Sequence, residues 1–196
     1  LVTPFPATRW SLARKLLRDV SGLTGLKRIV GLLAMDAGLI SYSASTTSRR
    51  VDQTGRRGGD VIMSLVRHFG PVALVNGLLL TLLWLLGQPA LYLLWLGAYL
   101  TTFSLFVRVR SIAEHACTER CADPFANTRT TRAGLLARMT IAPHDVNYHL
   151  EHHLLMTVPH YKLPAMHRML RERGALDGCH IEDSYVTILR AAGQAG

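Results

Sequence analysis

Charge is missing from a long part of this 196-residue chain. Residues 71–107 contain no Lys, Arg, Asp, Glu or His, a run of 37 positions. Over the whole chain only 18% of residues are charged while 49% are hydrophobic. That excludes a disordered chain, which is poor in apolar residues, and concentrated apolarity argues against an ordinary soluble domain. Cysteine is also scarce. Cys117, Cys121 and Cys179 do not make a disulfide framework, and the C-x3-C pair has no partner pair for a structural zinc site. A reducing compartment is therefore expected. The chain opens on Leu-Val-Thr-Pro-Phe-Pro, with no basic region leading into a short apolar run and a small-residue cleavage site. Because the first residue is not Met, the expectation is a piece of a longer protein. There is no internal repeat or low-complexity tract, and no histidine before His68.

What is abundant is arginine. Lys and Arg number 22 against 13 Asp and Glu, a net charge of +9, and 19 of the 22 are Arg. Such an excess suits either nucleic acid or a membrane surface. The basic residues are not interleaved with aromatics on one surface, and the uncharged run argues against a nucleic-acid binder. No nucleic-acid partner is expected.

As one helix, 37 residues would extend about 55 Å at 1.5 Å per residue, against a bilayer core of about 30 Å. Gly87-Gln88-Pro89 is the natural break. The expectation is a transmembrane hairpin over residues 71–86 and 90–107, with Trp84, Tyr92, Trp95 and Tyr99 as candidate interfacial anchors. Arg49, Arg50, Arg56, Arg57 and Arg67 precede it, Arg108 and Arg110 follow, and the turn is uncharged. The positive-inside rule then puts both ends on the cytoplasmic side. The basic flank could also attract anionic lipid or acyl-carrier phosphates, although plain topology explains it. Arg9–Val20 has Leu12, Leu16, Leu17 and Val20 at helical spacing among basic residues, which predicts an amphipathic helix lying on a membrane or on its own protein. Residues 29–42, apolar but interrupted by Gly31, Asp36 and Gly38, predict an interfacial or half-buried helix. Residues 43–59 and 123–131 read as polar loops, and residues 163–173 as an amphipathic helix with Pro164 in its first turn.

Six of the nine histidines, His144, His149, His152, His153, His160 and His167, fall within 24 residues. The centre is Asn147-Tyr148-His149-Leu150-Glu151-His152-His153, an H-x-x-H-H pattern. Offsets of three and four residues return to nearly the same helix face, so three imidazoles are expected to converge there. Neutral imidazole suits Zn, Cu, Fe and Ni. An exposed polar helix face is the alternative. His115 gains interest by lying eight residues past the second apolar segment.

The stretch NYHLEHHLLMTVPHYKLPAMH, residues 147–167, resembles the last histidine box of the membrane fatty acid desaturases, an H-x-x-H-H box followed by V-P-x-Y-x-L-P. The R-x-x-x-E-H stretch from Arg110 to His115 is similar too, as is the order of hairpin, isolated histidine and box. The resemblance covers approximately residues 71–170 and implies an all-α integral membrane protein. One transmembrane hairpin and cytosolic helices carrying the box would form the C-terminal half of a four-crossing fold. Residues 1–196 would be a partial desaturase-like domain, because the family's early and middle boxes do not occur here and are expected upstream of Leu1.

The resemblance implies metal ligands at His115, His149, His152 and His153, two iron ions completed by histidines outside this chain, and O2 as co-substrate. It implies removal of two hydrogens from the acyl chain of a membrane lipid or of an acyl-CoA or acyl-carrier substrate, leaving a double bond. Electrons would come from a ferredoxin or a cytochrome b5-type carrier. Similar boxes also serve hydroxylases and ketolases acting on carotenoids or other lipids, and a metal-binding membrane fragment without a complete iron centre is a further alternative. Glu114 and Glu151 are candidates for orienting ligand imidazoles or for the surface. His144 and His160 are expected beside the ligands or at the surface, His167 at the surface, and His68 and His180 carry no argument.

Overall fold

The computed structural model describes residues 5–42, 48–119, 121 and 123–194. Those residues form helices α1 (Arg9–Val20) and α2 (Leu23–Asp36), strands β1 (Ile40–Tyr42) and β2 (Ser48–Arg50), and helices α3 (Gly58–Leu85), α4 (Ala90–Leu100), α5 (Thr102–His115) and α6 (Pro124–Asn127). There follow β3 (Thr130–Thr131), α7 (Leu135–Thr140), α8 (His149–Leu154), α9 (Leu163–Glu172), β4 (Ile181–Glu182) and α10 (Tyr185–Ala192). The protein is mostly helical, with two two-stranded ladders that the all-α expectation did not include. The described residues divide into two compact units, one holding residues up to Leu16 and from Leu105 onward, the other spanning Leu17–Ser104.

In the Leu17–Ser104 unit, α3 begins 13 positions before Pro71, where the apolar run starts, and carries Arg67 and His68 within the helix. The Asp60 carboxylate caps the start by accepting the Arg57 backbone N–H at 2.8 Å. Pro71 lies inside without ending the helix, although its ring removes one backbone donor. The break at Gly87 is where the sequence puts it. Gly87 takes φ +72° and its N–H bonds the Trp84 carbonyl at 2.9 Å, the left-handed close that glycine allows. Pro89 then leads into α4. Two helical stretches, Gly58–Leu85 and Ala90–His115, are long and apolar enough to cross a membrane. No residue of α3 or α4 is buried within the protein.

The second stretch bends at Thr101. There the hydroxyls of Thr101, Thr102 and Ser104 donate to the carbonyls of Gly97, Ala98 and Leu100 at 2.7, 3.0 and 3.0 Å. Such bonding back to i−4 loosens the helical ladder and bends it. Trp95, Tyr99 and Phe103 stack along this stretch with ring centroids 5.9 and 5.5 Å apart. Arg28 from α2 donates to the Tyr99 carbonyl and the Ser104 hydroxyl, both at 3.0 Å, and lies 4.7 Å from the Phe103 ring centre. Tyr92 joins α4 to α3 by donating to Asn76 at 3.1 Å.

Residues 29–42 are not one helix: α2 starts earlier, at Leu23, and ends at Asp36, and Ile40–Tyr42 pairs antiparallel with Ser48–Arg50. Gly38 at φ +68° makes the turn between them. Of the expected loop over residues 43–59, residues 43–47 lie outside the described residues.

The other unit has a core of Leu12, Val109, Ile112, Ala113, Ala116, Ala142, Tyr185, Ile188 and Ala192. Leu12 from α1 contributes as its helical spacing predicts, whereas Leu17 and Val20 are exposed. The expected loop over residues 123–131 instead contains α6, capped by Asp123 accepting from the Phe125 N–H at 3.0 Å, and β3, which pairs parallel with β4. A pairing of Thr130 with Ile181 is invisible to local patterning, because its partner is distant in the chain.

Gly25 tests the helix packing of the Leu17–Ser104 unit. A Cβ there would stand 2.3 Å from the Leu100 carbonyl oxygen, a backbone atom that cannot move alone. Gly25→Ala is expected to lower stability by about 1–3 kcal/mol or more. Gly97→Ala on α4, where a Cβ meets nothing within 4 Å, is expected to leave it unchanged or slightly raised. Thermal unfolding in detergent micelles reads both.

Candidate metal centre

Helix α8 has only six residues, too short to hold a direction by itself. Its approach is fixed by a two-way clasp in which the Asn147 side-chain N–H donates to the Thr131 carbonyl and the Thr131 N–H donates to the Asn147 carbonyl, both at 3.0 Å. Its inner face is Leu150 and Glu151, both with no exposed surface. The Glu151 carboxylate accepts from the Thr130 hydroxyl on β3, and its Oε1 pairs with His167 Nδ1 on α9 at 2.5 Å. His149 and His153, one turn apart, therefore point the other way.

They meet His115, the last residue of α5. Nε2 of His149 lies 2.9 Å from Nε2 of His115 and 3.1 Å from Nε2 of His153. The ligand atoms of all three lie within 4.8 Å of one another. On the far side of its ring, His115 Nδ1 faces the Asn127 carbonyl at 3.3 Å, and His149 Nδ1 faces Glu114 Oε1 at 3.6 Å. The first is a long hydrogen bond; the second is beyond hydrogen-bond length but within electrostatic reach. Glu114 is itself held by Arg110 at 3.1 Å. Oxygen acceptors behind the rings leave the Nε2 atoms turned toward a common centre, the usual support for imidazole ligands.

His152 stands apart. Its ring centre is 6.0 Å from that of His149 and 5.9 Å from that of His153. It lines a cleft of about 240 Å³ together with His149 and Glu114 and with His144 and His160, whose rings are 5.0 Å apart. The expected convergence of all three box histidines thus holds for two of them, because adjacent helical residues diverge by about 100°. His167 is not at the surface: its side chain is 16% exposed and bonded to Glu151. Of the two candidate carboxylates, Glu114 is the one beside a ligand imidazole, while Glu151 anchors the helix from within. Sequence reasoning missed Asn127, Thr130 and Arg129. The buried Arg129 guanidinium donates to the Ala116 carbonyl at the end of α5, just after His115. A cation there suits the negative end of a helix, but a polar loop in sequence gives no sign of it.

Burial lowers the basicity of the cluster. It pushes His149 down to about 2, helped by His115 and His153, and burial followed by His115 and His152 holds His153 below its ordinary value. Both are neutral at pH 7, the form that binds a metal. Two nitrogens bound to one ion at about 2.1 Å and near a right angle stand about 3 Å apart, which matches 2.9 and 3.1 Å. The donor set therefore fits a transition-metal ion such as iron.

The architecture defines a helical protein with two stretches of membrane-crossing length and a convergent imidazole cluster capable of holding a metal. The chain belongs to the fatty acid desaturase family, whose pattern it matches over residues 3–184. No curated protein and no solved structure matches it significantly. Family membership brings desaturase-like or related lipid-oxidising chemistry and, with the two apolar helices, an association with membranes.

Two measurements test this geometry. Unfolded histidine titrates near 6.5, and His149 falls to about 2 in the fold. Between those values the unfolded chain binds more protons, so metal-free protein loses stability as pH falls. From pH 7.5 to 5.5 the loss is about 1.4 kcal/mol for this imidazole, and His149→Gln is expected to flatten that slope in thermal unfolding. Glu151→Ala leaves His167 without its partner and is expected to cost about 3 kcal/mol. It is also expected to lower metal content, although Glu151 does not face the cluster.

Proposed function

We propose that the protein is a membrane fatty acid desaturase that removes two hydrogens from a lipid acyl chain and leaves a double bond. The observation that carries this reading is the meeting of His115, His149 and His153 through their Nε2 atoms, in a chain of the desaturase family. These three would hold one iron, and His152, turned away on the same helix, would serve the second iron of a pair. A bound iron pair supplies the activation of O2 that an unactivated C–H bond requires and that no side chain can provide.

The protein's own residues do the rest. The Asn127 carbonyl accepts from His115 Nδ1 and so sets which nitrogen of that ring carries the proton, while Glu114, with Arg110 behind it, lies within electrostatic reach of His149 Nδ1. Burial keeps His149 neutral and so able to donate its lone pair. Glu151, Thr130 and His167 fix the roll of α8 without touching the reacting atoms.

In this reading α3 and the α4–α5 stretch are the transmembrane hairpin. Leu74, Leu78 and Leu82 on α3 and Leu93 and Leu94 on α4 are each more than half exposed. Apolar surface on that scale requires lipid or a covering partner. The arginines on both flanks and the uncharged turn support a cytoplasmic side for the histidine box under the positive-inside rule. Electrons arrive from a separate carrier protein.

The test is His149→Ala and His153→Ala in the protein expressed with its electron carrier. Iron content is expected to drop and new double bonds in the host lipids to vanish, a loss of at least a hundredfold in product. Unchanged lipid oxidation in both variants overturns the assignment. A hydroxylated product with no new double bond overturns dehydrogenation while keeping the metal site.

A further inference from the structure

Apart from the imidazole cluster, the unit that carries it has a second concave site. A cleft of about 390 Å³ opens between β3, β4 and α9, with Arg132, Arg138 and Arg171 among its lining residues. The one carboxylate in the lining, Asp183, is taken up by Arg132 at 2.9 Å. Among the described residues Arg138 bonds through its Nε alone, to the Ala133 carbonyl at 3.1 Å, which leaves the terminal nitrogens of its fork for a ligand. The cleft therefore has excess positive charge presented by guanidinium groups, which match the oxygens of a phosphate two at a time.

A second observation comes from the wall of the same cleft. Asn147 is 4% exposed, and its amide N–H is spent on the Thr131 carbonyl. Its Oδ1 is buried and has no hydrogen-bond partner among the described residues. A buried acceptor without a donor costs about 1–3 kcal/mol, and Asn147 belongs to the wall of the cleft. His167 and Tyr148 line the cleft as well, their rings 5.3 Å apart.

We propose that this cleft binds the phosphate ester of the substrate's polar head, with the guanidinium groups of Arg138 and Arg171 on the phosphate. This rests on the desaturase reading, in which the substrate is an acyl chain on a polar carrier. The cleft and the imidazole cluster share α8 as a boundary, since Asn147 and Tyr148 run directly into His149. A head held here would fix where the attached chain begins.

The phosphate could belong to a phospholipid or to a soluble thioester carrier, and binding to the full chain in dodecyl maltoside micelles, which contain no phosphate, separates them. The probes are coenzyme A with its phosphate-free counterpart pantetheine, and dihexanoyl-phosphatidylglycerol with the neutral dihexanoyl-glycerol. Calorimetry is expected to find binding of a phosphate-bearing probe and none of its neutral counterpart. Coenzyme A as the better ligand identifies a soluble carrier, and phosphatidylglycerol a lipid head. Arg171→Gln and Arg138→Gln are each expected to weaken that binding about tenfold, whereas Arg173→Gln, outside the cleft lining, leaves it unchanged. Arg171 and Arg138 are exposed, so the variants fold, and an unchanged thermal midpoint checks this. Equal binding of neutral and phosphate probes, binding of neither, or equal loss in Arg173→Gln overturns the inference. Iron content and product formation report on other residues, so this inference and the desaturase reading fail separately.

Discussion

A carboxylate sealed inside the protein sets the direction of the histidine box. Glu151 has no exposed surface and is held by Thr130 and His167, from a strand and a helix that flank α8. A six-residue helix has little stability of its own, so its roll about its axis is decided by what it buries. Fixing Glu151 inward turns His149 and His153 outward by helical geometry alone, and leaves His152 on a different side. Each further feature of the cluster follows from that roll. His115 completes it because Asn127 and Arg129 hold the end of α5 in place. A buried, bonded carboxylate thus acts at a distance from the clustered imidazole nitrogens and still governs them.

The same helix joins two kinds of chemistry on opposite faces. Outward, His149 and His153 offer lone pairs and are kept neutral by burial first and then by neighbouring imidazoles. Inward, charge is paired and hydrogen-bonded, as a buried ion must be. The arginine-lined cleft lies beyond the inward face, where His167 belongs both to the Glu151 clamp and to the cleft wall.

The Leu17–Ser104 unit is held together differently. Its long helices bury none of their own side chains, yet they are joined by polar contacts at chosen places, Tyr92 to Asn76 and Arg28 to the end of α4. Close backbone approach and hydrogen bonds of this kind are what join helices in lipid. Gly25 against the Leu100 carbonyl is the close approach. The bend at Thr101 comes from hydroxyls bonding back along the helix, which leaves the chain apolar and yet not straight.

Much of this was legible in the residues. The uncharged run, the Gly87 break, the amphipathic α1 and α9, and the candidate ligands His115, His149 and His153 follow from spacing, charge and the family's motif, all of which are local in the chain. The start of α3 was not, because a capped N-terminus let the helix extend back through Arg67, His68 and Pro71. Nor were the β3–β4 pair, the burial of His167, the service of Arg129 at the end of α5, or the separation of His152 from its neighbours. Sequence by itself determined which side chains were available for binding metal and which segments are uncharged and apolar. Only the tertiary structure decided which imidazoles meet, because Glu151 finds its partners 16 and 21 residues away, and no local pattern encodes a contact at that range.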